Sequence, residues 1–245
     1  MNKARDGERK NLAERLSHVL DERGELSDSE HLALGAWLAR QGRAEGLRVL
    51  GLRGGLSAKQ DDLGMDLLSW AARGGDEECL LLAGEVCFAG GLDVWGGGAL
   101  HHWAESKRPG PGVGAQILLA LGAGAAERDC WGMFPMHWSQ DPGVWSWSMA
   151  ALWAKDDPDG WLSCGGLDAM DATEACGVLG LREWAGRQGA GSFVKRRRPR
   201  RAPATSGGSL DEKLANLLTG IEIRRKKIGD AAAAQNCIAQ QLGIE

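Results

Sequence analysis

Apolar residues recur along the first two thirds of the chain in short runs that glycine interrupts. Ala33 to Ala39 is followed, after Gln41-Gly42, by Leu47 to Leu52. Leu67 to Ala72 is followed, after Gly74-Gly75, by Cys79 to Ala83. The spacing inside each run is helical, and glycine just past its end supplies a left-handed stop. The pattern predicts pairs of short helices. Helices of about ten residues are marginal alone, so they must stack on neighbours. Upstream, Leu12, Leu16, Val19 and Leu20 sit at helical spacing between charges within residues 8–22. They predict an N-terminal capping helix in residues 1–27. Downstream, Ser209-Leu-Asp-Glu212 reads as a capping box. Beyond it Leu214, Leu217, Ile221, Arg224, Ile228, Ala231, Gln235, Ile238 and Leu242 alternate at spacings of three and four, which predicts an amphipathic helix in residues 209–245. Gly220 and Gly229 weaken that seam and leave room for one break.

The paired helices belong to a repeating unit. Asp61-Asp-Leu-Gly-Met-Asp-Leu-Leu-Ser-Trp, Asp93-Val-Trp-Gly-Gly-Gly-Ala-Leu-His-His-Trp and Asp129-Cys-Trp-Gly-Met-Phe-Pro-Met-His-Trp share Asp, two variable residues, Gly, and then a helix start. A further copy falls at Ser163-Cys-Gly-Gly-Leu-Asp. A fainter one falls at Asp28, with Ala36-Trp37 matching Ser69-Trp70. The period is about 33 residues, the range of helical-repeat arrays. Gly132-Met-Phe-Pro-Met-His-Trp-Ser, Gly96-Gly-Gly-Ala-Leu-His-His-Trp and Leu118-Leu-Ala-Leu-Gly-Ala123 carry a resemblance to the ankyrin repeat. It covers residues 28–191, about five units. Thr is replaced by Gly98 and Phe134 in the two His-bearing copies, so the family's Thr–His hydrogen bond cannot form there. The resemblance implies an all-α solenoid, with the capping helix before it and the amphipathic helix after it. It also implies protein–protein interaction through the turns and the first-helix face.

Composition narrows the function. Of 245 residues, 43% are hydrophobic and 25% charged, the mix of a soluble globular protein. No apolar run approaches the roughly 18 residues of a membrane helix. The polar Met1–Lys10 segment is unlike a secretory signal, so no membrane partner and a cytoplasmic location are expected. Six scattered cysteines form no CxxC pair, which favours reduced thiols over a zinc site. The net charge of −4 hides an asymmetry. Residues 1–191 carry 18 Lys and Arg against 28 Asp and Glu; residues 192–245 carry 11 against 5. Parts of opposite sign meet different partners, or each other.

The candidate chemistry is that of binding. Trp37, Trp70 and Trp138 share one helix position and are expected in the core. Trp95 and Trp131 stand two residues after Asp, in the protruding turn, where partner recognition and packing between turns are both open. The ankyrin resemblance makes Asp62, Leu63, Met65, Val94, Trp95, Trp131 and Met133 the tip positions, with Arg73, Glu105 and Asp141 on the groove side of the first helices. Trp103 replaces a small residue of the family pattern; it either fills a local gap or pushes two units apart. His101, His102 and His137 cluster in the register, with Asp129 and Cys130 close in sequence, the ingredients of a metal or acid/base site; yet His101 and His137 are accounted for by the motif, where His bonds to turn backbone. No HExxH, GxSxG or GxxxxGK[ST] is present. No enzyme, cofactor or metal is expected.

Lys195, Arg196, Arg197, Arg198, Arg200 and Arg201 open a Pro- and Gly-containing linker, residues 192–208. With Arg224, Arg225, Lys226 and Lys227 they could touch nucleic acid or an acidic partner, or dock on the acidic body. No aromatic residue follows Phe193, so base stacking is unsupported there. The expectation is therefore an adaptor or inhibitor that binds another protein, with the basic tail as a second contact. The rivals are a nucleic-acid-associated protein and a secreted host-directed effector.

Overall fold

The computed structural model describes residues 2–24, 26–106, 112–124, 127–133, 135–138, 163–164, 167–168 and 210–244. Most of the fifth expected unit, Asp141 and the Lys195–Arg201 run lie outside these, as does the His137 side chain. Within them the chain is helical: α1 (Asn2–Arg23), α2 (Asp28–Arg40), α3 (Ala44–Leu52), α4 (Leu67–Gly74), α5 (Glu77–Gly84), α6 (Ala99–Glu105), α7 (Gly112–Ala120), a 3₁₀ turn (Pro135–Trp138) and α8 (Leu210–Gln241). The helices form two rows. In the first, α2, α4, α6 and the 3₁₀ turn lie side by side. In the second, α1, α3, α5 and α7 do the same, and α2–α3, α4–α5 and α6–α7 pair between rows.

Local chemistry explains where each helix begins and stops. Ser27 caps α2 and Glu30 reaches back to its amide, a full capping box. Asp66 and Asp76 cap α4 and α5. Gly42 (φ 66°) and Gly75 (φ 72°) end the first helices in the left-handed region. Leu34, Leu38, Leu47, Leu50, Leu68 and Leu80 fill the space between the rows. Trp37, Trp70 and Trp138 are buried with them, as their shared position predicts.

The connections between units are one turn used three times. Asp61, Asp93 and Asp129 each accept backbone N–H groups two and four residues on: Leu63 and Met65, Trp95 and Gly97, Trp131 and Met133, all at 2.7–2.9 Å. A glycine with φ 73–78° follows three residues after each Asp. The outer oxygens of Asp61 and Asp129 accept the indole N–H nine residues on, from Trp70 (2.9 Å) and Trp138 (2.8 Å). Successive turns are laced by backbone: Val94 N–H donates to Leu63 O at 2.9 Å, and Cys130 N–H to Trp95 O at 2.7 Å. His101 completes the lacing. Its Nδ1 accepts from Gly98 N–H (3.1 Å), and its Nε2 lies 3.1 Å from Met133 O in the next turn. This is the backbone role the motif assigns to that histidine.

Two sequence matches differ in structure. Asp28 is not the head of a turn; it is the first residue of α2, facing Lys59. Ser27, directly before it, is the N-cap of the helix, so Asp28 lies in the first helical turn and pairs with Lys59 instead. Trp37 consequently keeps its place in the core with a buried Nε1 that has no hydrogen-bond partner. At the fifth copy Ser163 stands where the other units have Asp. There Ser163 pairs with Asp168, and Cys164 with Leu167, as a two-residue antiparallel ladder.

Trp103 fills a gap, the first of the two alternatives. A Cβ on Gly114 of α7 would lie 2.0 Å from its indole, so the missing side chain of Gly114 makes its berth. Two mutations test this account. Asp61→Ala leaves three donors without their acceptor, which costs on the order of 1–3 kcal/mol; urea unfolding should show it, with a smaller loss for Asp61→Asn. Gly114→Val should lower Tm by several degrees, because the indole cannot yield against the packed rows.

Candidate functional site

The first row of helices presents its last turns along one face, and equivalent positions form a charged ladder. Arg40 of α2, Arg73 of α4 and Glu105 of α6 lie three residues beyond Trp37, Trp70 and His102. This face, with Trp95 and Trp131 of the turns, is the groove anticipated for a partner. It is occupied by the chain's own α8.

α8 runs along the face against the order of the units. Gly220 lies beside Trp131, where a Cβ would come within 2.8 Å of the indole nitrogen. Arg224 enters between α6 and the turns. Arg40 donates to Gln235 Oε1 (3.1 Å), Asn236 Oδ1 (2.6 Å) and Ala232 O (3.3 Å). At the far end Arg15 of α1 donates to Gly243 O. The buried residues of α8 and the segment after it are Ile221, Arg224, Ile228, Gln235, Ala239, Leu242 and Ile244, close to the predicted seam. The helix is continuous through both glycines. The side chains of Leu214 and Leu217 lie outside the described residues.

Arg224 is the centre of the site, its side chain 2% exposed. Its Nη1 donates to Glu105 Oε2 at 2.7 Å, and Arg73 Nη1 donates to the same oxygen at 2.7 Å. Its Nη2 lies 3.4 Å from His102 Nδ1 and 3.8 Å from Asp93 Oδ2. The guanidinium stands 4.4 Å from the centre of the Trp138 ring and 5.9 Å from that of Trp95. A desolvated cation over an indole gains about 2 kcal/mol. Two cations, Arg73 and Arg224, face two carboxylates, Glu105 and Asp93, so the buried group is charge-balanced. Burial disfavours ionisation of Glu105, yet Arg224 and Arg73 prevail and hold its carboxyl at about 2. Asp93 is likewise held below the usual range: burial opposes this, but His102 and Arg224 outweigh it.

His102 is neutral in this setting because burial pushes its pKa down. With Arg224 donating to Nδ1, the remaining ring proton sits on Nε2, which is 3.2 Å from Asp93 Oδ2. His102 thus takes the position that Trp70 and Trp138 hold in neighbouring units, nine residues after Asp. The smaller ring leaves the room that the guanidinium occupies.

The other expected contact residues divide. Asp62 and Val94 are exposed on the turns, Val94 by 60%, and Leu63 is half-buried. Met65 and Met133 are fully buried: their amides point to the Asp carboxylate and their side chains into the core, so they are not tip contacts. Trp95 and Trp131 are half-buried and pack on the core, Trp131 tilted on Trp138 at 5.8 Å between ring centres. Arg224 faces the groove, so it is unavailable to an external phosphate, whereas Arg225, Lys226 and Lys227 are exposed on α8. Asp93, His102, Arg40 and Gln235 also belong to the site: Asp93 reads in the sequence only as a turn head, His102 only as part of a histidine cluster and Gln235 only as a seam position, and Arg40 carries no signal of its own. Counting nine residues on from Asp93 finds His102, and counting three on from Trp37, the match of Trp70, finds Arg40.

Among the described residues, no group of three or more His, Cys, Asp or Glu is placed to hold a metal ion. No helix among them is long and apolar enough to cross a membrane. No protein-family model matches the chain, and no curated protein is significantly similar to it.

The titrating groups set the pH response. Glu105 ionises below its ordinary 4.5 in the fold, so its stabilisation is complete above about 4.5 and is lost as pH falls towards 2. Depressed Asp93 and His102 act in the same direction. Burial pushes Asp129 up to about 6 from 3.8, so its ionisation removes stability as pH rises between those values. With His101, which burial holds at about 3, the depressed groups outweigh Asp129, so stability should rise with pH to a plateau above about 6.5, with a steep fall below 4 that Glu105→Gln should flatten; urea unfolding followed by tryptophan fluorescence measures both.

Proposed function

We propose that this chain is a non-catalytic, ankyrin-like repeat protein that recognises a partner protein through the groove of its turns and first helices. The basic tail is its second contact. The reading joins a repeat of about 33 residues, two rows of short helices and a thrice-used Asp turn. The observation that carries it is the seating of α8. A continuous amphipathic helix lies along the groove with its apolar and arginine side chains buried there. A face that takes one helix of this kind in cis is built to take another. It works by occlusion or scaffolding: a partner helix held in the groove is hidden from its own targets, or is brought beside whatever binds the tail. The exposed Val94 and Asp62 on the turns extend the contact beyond the groove, and Arg225, Lys226 and Lys227 offer charge to an acidic surface on the same partner.

The test is capture from native cell extract by full-length baits, with nuclease and at low and high salt. Arg224→Glu places a third carboxylate beside Glu105 and Asp93 and opens the groove. That bait should retain a protein at high salt, at a level at least several-fold above wild type. Adding Trp131→Ala should reduce the capture. Recovery that vanishes with nuclease, or that depends only on Arg225, Lys226 and Lys227, would instead make the tail a nucleic-acid contact.

A further inference from the structure

We propose that the space bounded by Trp95, Trp138, Glu105 and Asp93 is a guanidinium-recognition site. Arg224 fills it in cis, and the partner of the groove is a protein that presents an arginine to it from an amphipathic helix. The inference rests on the groove reading above and adds the chemistry of the ligand.

The walls belong to the repeat body and are built without the tail. Asp93 is fixed through its other oxygen by the Trp95 and Gly97 amides. Trp138 is held by its indole N–H on Asp129. Glu105 is held by Arg73. The opening follows from His102 at the position where both neighbouring turns have Trp. What remains is a slot with indoles at 4.4 and 5.9 Å and carboxylate oxygens at 2.7 and 3.8 Å from the guanidinium or its nitrogens. That combination selects a flat, delocalised cation that stacks while it donates in several directions. An ammonium is a compact, strongly hydrated point charge and satisfies it poorly.

The tail also shows what else such a helix needs. Gly220, one turn before the arginine, allows close approach to Trp131. Ile221 and Ile228, three before and four after it, are buried beside it. A partner helix therefore carries a small residue, an apolar residue, arginine and a second apolar residue at those spacings. In the intact chain 71 residues join Trp138 to Leu210. A tethered ligand competes at high effective concentration, so α8 must leave before a partner enters.

The experiment uses full-length protein and a fluorescent synthetic peptide of residues 210–244, with binding read by anisotropy. The Arg224→Ala chain should bind this peptide at least tenfold more tightly than the wild-type chain, whose slot is filled. The same peptide carrying Arg224→Lys should bind the Arg224→Ala chain at least tenfold more weakly. Adding Glu105→Gln to that chain should abolish the preference. If the Arg224→Ala chain is unfolded by circular dichroism, the Arg224→Lys chain serves as receptor with the same expectations. Equal binding of the arginine and lysine peptides would overturn the proposal, as would binding of neither by a folded receptor. A captured partner without arginine dependence would sink the guanidinium site and leave the proposed function. Arginine-dependent peptide binding with no captured protein would do the reverse.

Discussion

Helices of seven to nine residues do not persist alone in water, because each turn of backbone is fixed for too few hydrogen bonds. The turns between the described helices answer that constraint. The answer is a carboxylate at the head of each turn. Asp61, Asp93 and Asp129 collect backbone amides that would otherwise be buried without acceptors, and two of them also tether an indole in the core. The turns then hydrogen-bond to one another, so each unit supplies what its neighbour lacks. Where no turn carboxylate faces it, as at Trp37, the indole N–H is left buried without a partner.

One turn departs from its neighbours, and the departure is where the chemistry lies. Replacing indole by imidazole nine residues after Asp93 removes volume and introduces a polar ring. The space is taken by a cation rather than by apolar packing. Burying a lone guanidinium would be prohibitive; two carboxylates and two indole faces offset the lost hydration. The same economy explains Arg73, which is required because Glu105 and Asp93 together would leave an excess of negative charge beside a single arginine. The site is thus a specific lock on α8, while apolar Ile221, Ile228 and Leu242 supply area without much selectivity.

The tryptophans among the described residues do three different jobs. Trp37, Trp70 and Trp138 fill the core, and Trp138 offers one face to Arg224 as well. Trp103 occupies the space left by Gly114. Trp95 and Trp131 stand on the turns and pack against the chain's own tail helix.

The order of elements was legible in the sequence because local signals are strong there. Glycine stops, helical apolar spacing and a recurring Asp-x-x-Gly each act within a few residues of backbone. The seam of α8 was legible for the same reason, even to the inclusion of Arg224 and Gln235 among its inward positions. Burial of Met65 and Met133 was not, because a turn residue's side-chain direction depends on the backbone hydrogen bonds made around it. Nor was the occupant of the groove. The opposite charges of body and tail permitted them to meet, but charge acts at a distance and names no residue. Only the tertiary structure places Arg224 against Glu105, Asp93, Trp95 and Trp138, since that meeting joins positions 86 to 131 residues apart in sequence and depends on the shape left by His102.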